Sequence, residues 1–302
     1  CALPISNVSS YGSPAEVGDG SEFHWGQGND GGTVHGDATF DNAPNKNGGT
    51  VEGNASFTSD EGGNGHNYAT VQGNATFTGG WSTPCENKTG ATVQGNATFD
   101  YGDNYGTVQG MATFNGAGAS PSKNYGVVWK HATFNGTSRN MDDGQVGGGN
   151  GNVETNGATF NGDPNGNIGE GSSNFGLVYG DATFNDNSLS GYRDGNYTFH
   201  GQVTGNATFN DKAVASMGGN KVGGNAYFND KAFMSSPCDG DFCVGKIIWR
   251  STAGDNMGEG WGLIKHLALH PALADIREGT QLSPQDIGTM KPATDIVGTG
   301  LL

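Results

Sequence analysis

Residues 91–99 read ATVQGNATF, and residues 69–77 repeat the same nine letters. Eight further segments share an Ala two residues before a Phe, and nine of the ten copies have a Val six residues before that Phe. Alternation of apolar and polar residues, as in Ala-Thr-Phe, is typical of a β-strand. The sequence therefore predicts ten copies of one strand unit, which end at Phe40, Phe57, Phe77, Phe99, Phe114, Phe134, Phe160, Phe184, Phe209 and Phe228.

The spacing between successive phenylalanines varies from 15 to 26 residues. A constant strand core with spacers of variable length indicates a solenoid, in which each coil closes but its loops differ. We therefore expect an all-β fold, a single-stack parallel β-solenoid of about ten coils, with Val, Ala and Phe inside and the Thr between them outside. Coils stacked about 4.8 Å apart place like residues above one another. This predicts an internal column of Phe rings and, at the following turn, an Asn ladder of Asn115, Asn135, Asn161, Asn185, Asn210 and Asn229.

The composition supports this fold class and excludes several functions. Gly accounts for 56 of the 302 residues, and only 33% of the chain is hydrophobic, which is too little for an ordinary helical core. The formal net charge of −16 argues against nucleic-acid binding, because that function needs a basic surface. No stretch of about 18 apolar residues occurs, so we expect no membrane span.

The distribution of Leu and Ile divides the chain into three zones. Residues 1–30 lack the repeat and are predicted to form an N-terminal cap or arm, and residues 31–232 hold the solenoid repeats. Residues 233–302 are rich in Leu and Ile and are predicted to form a small mixed α/β C-terminal cap. Within this cap, residues 244–249 (VGKIIW) resemble a degenerate eleventh copy, and residues 263–278 have the pattern of an amphipathic helix. The chain then ends in an extended segment whose apolar residues, Ile296, Val297, Leu301 and Leu302, are predicted to serve as an assembly tail.

The even number of cysteines favours an exported protein with disulfides. Cys238 and Cys243 flank a segment rich in turn-forming residues, CDGDFC, and are predicted to close a small disulfide loop. Cys1 and Cys85 would then pair by default, within one chain or between subunits. Two alternatives stay open: reduced, buried thiols, and an acylated Cys1 followed by the small residue Ala2, as in a mature lipoprotein.

Residues 205–211 read GNATFND, and this motif resembles the degenerate GNATFND repeats of secreted surface proteins from uncultured bacteria. The resemblance covers about two thirds of the chain and leaves both ends uncovered. It implies a β-solenoid that is secreted or displayed at the cell surface. It implies no catalytic residues, because this class of repeat carries no agreed activity.

The acidic residues do not form a recurring pair within the repeat. A glycosidase requires two carboxyl groups held at a fixed separation, whereas Asp60-Glu61, Asp142-Asp143 and Asp186 lie in spacers of different lengths. We therefore expect no enzymatic activity. Structural Ca²⁺ stays an alternative because Asp and Asn are abundant, although the nonapeptide repeats of calcium-binding β-rolls are absent; no other cofactor is expected.

Two further patterns have competing interpretations. His266 and His270 have the spacing of metal ligands on a helix, with Asp275 nearby; Pro271 interrupts that helix and favours an ordinary cap surface. Glycosylation sequons occur inside the repeat at Asn54, Asn74, Asn96 and Asn206 and near the N-terminus at Asn7. The spacer sequons, which are expected to be the accessible ones, are Asn87, Asn135 and Asn196.

Three functions are compatible with these patterns. The first is a structural subunit of an extracellular fibre, sheath or surface layer, whose partner is another copy of the chain and whose contacts are the solenoid ends and terminal segments. The second is a cell-surface adhesin that binds glycans through Trp81, Trp129, Tyr101 and Tyr192. The third is an ice-binding protein that uses outward threonines; its second Thr column is limited to Thr33, Thr50, Thr70, Thr92 and Thr107.

Overall fold

The computed structural model shows an all-β chain of parallel, stacked strands, which confirms the predicted β-solenoid. The chain forms two compact units, Cys1–Gly157 and Ala158–Leu302. Every regular element in the described residues is a β-strand. The described residues are 16–24, 28–41, 45–59, 65–80, 82–148, 157–165, 171–194, 197–199, 201–215, 221–230, 232–234, 247–249 and 281–282.

Each coil of the first unit contributes one strand to each of three parallel sheets, which we name faces A, B and C. Face A carries the Val of the repeat and consists of Glu16–Val17, Thr33–Val34, Thr50–Val51, Thr70–Val71, Thr92–Val93, Thr107–Val108, Val127–Val128 and Gln145–Val146. Face B carries Ala-Thr-Phe and consists of Ser21–His24, Ala38–Asp41, Ala55–Thr58, Ala75–Thr78, Ala97–Asp100, Ala112–Gly116 and Ala132–Gly136. Face C consists of Gly28–Asn29, Lys46–Asn47, His66–Asn67, Glu86–Asn87, Asp103–Asn104, Lys123–Asn124 and Arg139–Asn140.

The predicted alternation on face B is confirmed. Phe77 pairs with Phe99 and Thr76 pairs with Thr98, so each residue type lies on its own kind in the next coil. The ten repeat phenylalanines are fully buried, while the residue before each ring, a Thr in all copies except Ser56 and Tyr227, is at least partly exposed. From Phe23 to Phe134, successive ring centroids of the first unit lie 4.7 to 4.8 Å apart. This stack and the Val column of face A form the apolar interior.

The interior side of face C is polar, which the sequence analysis did not predict. In the first unit one Asn per coil points inward, and Asn47, Asn67, Asn87, Asn104, Asn124 and Asn140 have no exposed surface. The Nδ2 of each donates to the Oδ1 of the Asn in the following coil at 2.8 to 3.0 Å, from Asn29 through to Asn140. We call this column the inner Asn ladder. It satisfies the buried amides with one another, as buried polar groups require.

The Gly-Asn pair of the repeat forms the corner between faces A and B. A Cβ atom added to Gly73 or Gly95 would lie 2.5 Å from the carbonyl oxygen of the corner glycine one coil earlier, so only Gly fits this close stacking. The side chain of the next residue accepts a backbone N–H from the following coil. Asn74 Oδ1 accepts from the N–H of Asn96 at 2.8 Å, and Asn96 Oδ1 accepts from Met111 at the same distance. The motif is therefore explained by corner geometry.

The second unit repeats the three faces. Face A consists of Leu177–Val178, Gln202–Val203 and Lys221–Val222, and face C of Ser173–Asn174, Leu189–Ser190, Val214–Ala215 and Phe233–Met234. Face B consists of Gly157–Asn161, Asp181–Asn185, Ala207–Phe209, Ala226–Phe228, Ile247–Trp249 and an antiparallel last strand, Gln281–Leu282. A separate antiparallel hairpin joins Tyr192–Asp194 to Tyr197–Phe199.

The predicted Asn ladder after the Phe is confirmed within both units. Asn135 donates to Asn115 at 2.8 Å, and Asn185, Asn210 and Asn229 each donate to the Asn one coil earlier at 2.7 to 2.8 Å. The donor here lies in the later coil, which is the reverse of the inner Asn ladder. The two ladders therefore run with opposite polarity.

The solenoid is longer at both ends than residues 31–232. Residues 16–24 and 28–29 contribute one strand to each face and so form a coil and not a cap; Ser21-Glu22-Phe23 substitutes for Ala-Thr-Phe, and the ring of Phe23 stacks on Phe40. At the other end Ile247–Trp249 pairs in parallel with Ala226–Phe228, which confirms the degenerate eleventh copy. The predicted helix at 263–278 and the tail at 295–302 lie outside the described residues.

Candidate functional site

The charged side chains of the middle coils are concentrated on the outer side of face C. The residue before each inner Asn points outward, which produces the column Lys46, His66, Glu86, Asp103, Lys123 and Arg139. By contrast, Thr, Gln and Asn occupy the outer positions of faces A and B between residues 70 and 98. The face C column is therefore the candidate functional site of the first unit.

Two carboxylates lie at the centre of this column in adjacent coils, since Glu86 pairs in register with Asp103. Glu86 forms an ion pair with Lys88, and its Oε2 lies 3.3 Å from Nδ1 of His66. Asp103 is only 5% exposed, and its Oδ1 accepts the backbone N–H of Lys123 at 3.0 Å. Burial raises the pKa of Asp103 to about 6, although the positive charge of Lys123 opposes the shift. Burial, reinforced by Lys88, lowers the pKa of His66.

A pair of tyrosines flanks the column. The rings of Tyr105 and Tyr125 stack in parallel with their centroids 4.7 Å apart, and Nζ of Lys88 lies 6.0 Å from the centre of the Tyr105 ring. Burial is the main cause that raises the pKa of Tyr105, so its hydroxyl stays protonated. Each ring covers a face of the other, which reduces the ring surface on which a sugar could stack.

The aromatic residues predicted to bind glycans are not brought together where the structure describes them. Tyr101 is 38% exposed at the corner after a face B strand, whereas Trp129 follows a face A strand. Trp81 and the side chain of Tyr192 lie outside the described set. These residues therefore do not form a common platform in the described part of the chain.

Glu86, Asp103 and the two stacked tyrosines were not predicted from the sequence. Their column does not lie at a fixed distance from the repeat Phe, because the spacers between the strands vary in length. The sequence feature that marks this column is an Asn four residues before the repeat Val, as at Asn67, Asn104 and Asn124. The residue that precedes this Asn is the one that points outward. Of the predicted spacer acids, Asp142 and Asp143 are exposed, and Asp60 and Glu61 lie outside the described residues.

The spacer acid Asp186 occupies a turn with a positive φ of 58°, and equivalent turns place Asp211 and Asp230 at 57° and 55°. Burial, with Asp211 as the next cause, raises the pKa of Asp186. Within the described residues, no group of three or more His, Cys, Asp or Glu side chains has an arrangement that could hold a metal ion. His266, His270 and Asp275 lie outside those residues, and so the metal interpretation of that pair stays a hypothesis.

Cys85 is a free, fully buried thiol, so the pairing with Cys1 that was expected by default is not formed in this structure. The physical reason is its orientation: Sγ lies inside the coil, close to Gly65, and donates to the carbonyl oxygen of Thr78 at 3.3 Å. Burial raises the pKa of this thiol. Cys1, Cys238 and Cys243 lie outside the described residues, and the Cys238–Cys243 loop stays a prediction.

The expectation that the spacer sequons are the accessible ones is wrong at Asn87, and Asn196 lies outside the described residues. Asn87 is fully buried in the inner Asn ladder, and Nδ2 of Asn135 donates to Asn115. The repeat sequons Asn54, Asn74 and Asn96 are exposed at the corner between faces A and B. Position within the coil, rather than position within a spacer, therefore determines exposure.

In the described part of the chain, no helix is long and apolar enough to span a membrane. No protein-family model, curated protein or solved structure matches the chain.

Proposed function

We propose that the chain is a non-catalytic structural subunit of an extracellular fibre, sheath or surface layer, which assembles through its ends and terminal segments. The observation that carries this proposal is the in-register stacking of like residues on all three faces of the first unit. A coil held by the same ladders above and below forms a stiff, extendable element. Such an element suits a load-transmitting role outside the cell.

The ends of the stack favour assembly through terminal segments rather than through bare coil edges. Among the described strands, those of the first coil pair on one side only. Yet Val17 and Phe23 are 6% and 2% exposed, so the interior of that coil is already covered. A neighbouring copy must therefore contribute a strand or displace a cover, as in strand addition to a sheet edge. The proposed donor is the tail with Ile296, Val297, Leu301 and Leu302.

The net charge of −16 also favours contact at the ends. Copies lying side by side would bring many acidic side chains together, and their repulsion disfavours lateral packing at low salt. Contact at an end brings fewer charges into proximity. A filament one subunit wide is accordingly the expected product.

Glycan binding is the second candidate, and the uncharged outer positions of faces A and B between residues 70 and 98 favour it. Thr70, Thr92 and Thr107 on face A, together with Gln72 and Gln94 beside them, offer hydroxyl and amide groups at regular intervals along the stack. Such groups suit hydrogen bonding to sugar hydroxyls. Ice binding is less favoured, because the two Thr columns lie on different faces.

Electron microscopy and light scattering of the full chain test the proposal. We expect filaments one subunit wide, and deletion of residues 295–302 should abolish them without loss of the β-rich circular dichroism spectrum. A matched control is the charge-preserving replacement of exposed Gln94 by Asn, which should leave filaments unchanged. A chain that stays monomeric at all concentrations, and that binds an immobilised glycan, would replace this proposal with the second candidate.

A further inference from the structure

At the first coils, two histidines are each bracketed by two carboxylates. Nδ1 of His35 lies 2.8 Å from Glu52 and its Nε2 lies 3.9 Å from Glu16. His24 repeats the arrangement, with Nδ1 against Asp41 and Nε2 3.3 Å from Glu22. An imidazolium ring donates from both nitrogens, whereas a neutral ring donates from only one. At His24 both ring nitrogens lie within hydrogen-bond distance of a carboxylate, which only the protonated ring satisfies. At His35 the Nδ1 is hydrogen-bonded to Glu52, and the longer contact of Nε2 with Glu16 is electrostatic.

Three of these four ring contacts connect different coils, whereas Glu22 lies on the same strand as His24. Glu16 belongs to the first coil, His35 follows the face A strand of the second, and Glu52 follows that of the third. His24 ends the face B strand of the first coil, and Asp41 ends that of the second. Since the carboxylates lie at opposite ring nitrogens, they do not converge on a point where a metal ion could bind. The arrangement is a cross-link between coils.

We propose that His24 and His35 form a proton-dependent clasp that holds the first coil on the stack when both rings are protonated and loosens it when they are neutral. The first coil depends on such a contact more than a central coil does, because its described strands pair on one side only. Its face A strand is two residues long, so few backbone hydrogen bonds oppose opening. The clasp thus acts on a coil whose described strands lie at the edges of their sheets.

The charges around the clasp determine the direction of the effect. The side-chain hydrogen bond to Asp41 is the main cause that raises the pKa of His24, and that to Glu52 raises the pKa of His35. Since the pKa of each ring is higher in the folded coil, the stabilisation is complete below the ordinary value of 6.5 and is lost as the pH rises through the raised value.

Loss of the two positive charges leaves a strongly acidic end. Besides the four carboxylates at the rings, Asp19 and Asp37 lie at the adjoining corner, where Asp19 accepts the backbone N–H of Asp37. Lys46 stays paired with Asp30 at 2.8 Å on face C. The neutral rings therefore leave six neighbouring carboxylates, whose repulsion favours opening.

Opening would uncover an edge that another copy can use. Phe23 stacks on Phe40 at 4.7 Å, and the strand Ser21–His24 pairs with Ala38–Asp41. Once the first coil is released, Ala38–Asp41 becomes an exposed parallel edge with an apolar ring beside it, which suits an incoming strand. This last step depends on the proposed function; the clasp itself does not.

Hydrogen exchange of the full chain tests the clasp. Exchange is measured at pH 6 and pH 9 under dilute, monomeric conditions and is corrected for intrinsic rates. We expect protection of residues 16–24 to fall roughly three- to tenfold between the two pH values, as two exposed ion-pair sites allow, while residues 92–104 do not respond to the clasp. The double variant His24→Gln/His35→Gln should show low protection of the first coil at both pH values.

The control is His131→Gln, which removes a histidine whose pKa is lowered by burial and which is distant from the clasp in sequence. This variant should retain the wild-type response of the first coil. Equal protection of residues 16–24 at both pH values in the wild type, or an unchanged pH response in the double variant, would overturn the clasp. Because exchange is read on monomers, failure to form filaments would count against the proposed function and leave this result intact.

Discussion

Faces B and C of the first unit build the same kind of sheet over opposite kinds of interior. Behind face B, the Phe rings stack on one another 4.7 to 4.8 Å apart, beside a separate column of Ala. Behind face C, the equally buried inner Asn ladder joins coil to coil through amides. Both columns consist of one residue type stacked on itself. The comparison shows that an interior column can be polar as well as apolar, provided that each residue stacks on the same residue type in the next coil.

The two columns contribute differently to the fold. Removing a Phe ring from water contributes roughly 1.5 to 3 kcal/mol. A buried amide bond contributes about 1 kcal/mol net, but leaving its partners unsatisfied costs about 1 to 3 kcal/mol for each group. The Phe column of face B therefore stabilises the fold, whereas the inner Asn ladder of face C destabilises any coil that stacks out of register.

The largest expected effect is on face B. Phe114→Asp places a charge inside the ring stack between Phe99 and Phe134, and should lower the free energy of unfolding by at least about 4 kcal/mol. Thr113→Asp, one residue away and facing outward, should cost less than about 1 kcal/mol. Chemical denaturation of both variants measures the difference. Similar losses would show that the inward and outward assignments on face B are wrong.

An intermediate effect is expected on face C. Asn104→Leu leaves Nδ2 of Asn87 and Oδ1 of Asn124 without their ladder partners and should cost about 3 kcal/mol in denaturant unfolding. Asn74→Ala is the control, because that exposed corner amide can be replaced by water and its loss should cost about 1 kcal/mol or less. If Asn104→Leu leaves the free energy of unfolding unchanged or raises it, the distinction between the two interiors is wrong.

A smaller effect, of opposite sign, is expected on the outer side of face C. The folded-state pKa of Asp103 is raised from 3.8 to about 6, so its charged form destabilises the fold as the pH rises above the unfolded value. Asp103→Asn keeps an oxygen for the N–H of Lys123 and should stabilise the chain at pH 8 by at most about 3 kcal/mol. Denaturation at several pH values should show the gain disappearing near pH 4. A gain that is independent of pH would contradict this assignment.

The sequence predicted those parts of the fold in which a residue type recurs at a fixed distance from the Phe. The Val, Ala and Phe columns and the Asn after the Phe meet that condition because a single strand and turn separate them. The Asn residues of the inner Asn ladder do not recur at a fixed distance, since the loop between faces C and A varies in length. Asn104 lies four residues before its Val, but Asn140 lies six residues before its Val.

The candidate site was hidden for a related reason. Glu86 and Asp103 become neighbours only after the spacers are folded, because successive residues of this column, from Lys46 to Arg139, lie 16 to 20 residues apart along the chain. The first coil was missed because Ser21 and Glu22 replace the usual Ala and Thr, although Phe23 retains the ring. Stacking tolerates these replacements, because Ser fits the small inward position and Glu faces outward.

Side-chain amide exchange, measured by NMR on the folded chain, tests the central comparison most directly. The side-chain amides of Asn87, Asn104 and Asn124 should exchange slowly, like backbone amides of the core, because each lies in the buried ladder. Those of Asn74 and Asn96 should exchange rapidly, since both side chains are exposed at the corner. If the two groups exchange at the same rapid rate, the inner Asn ladder does not exist and the account of face C is wrong.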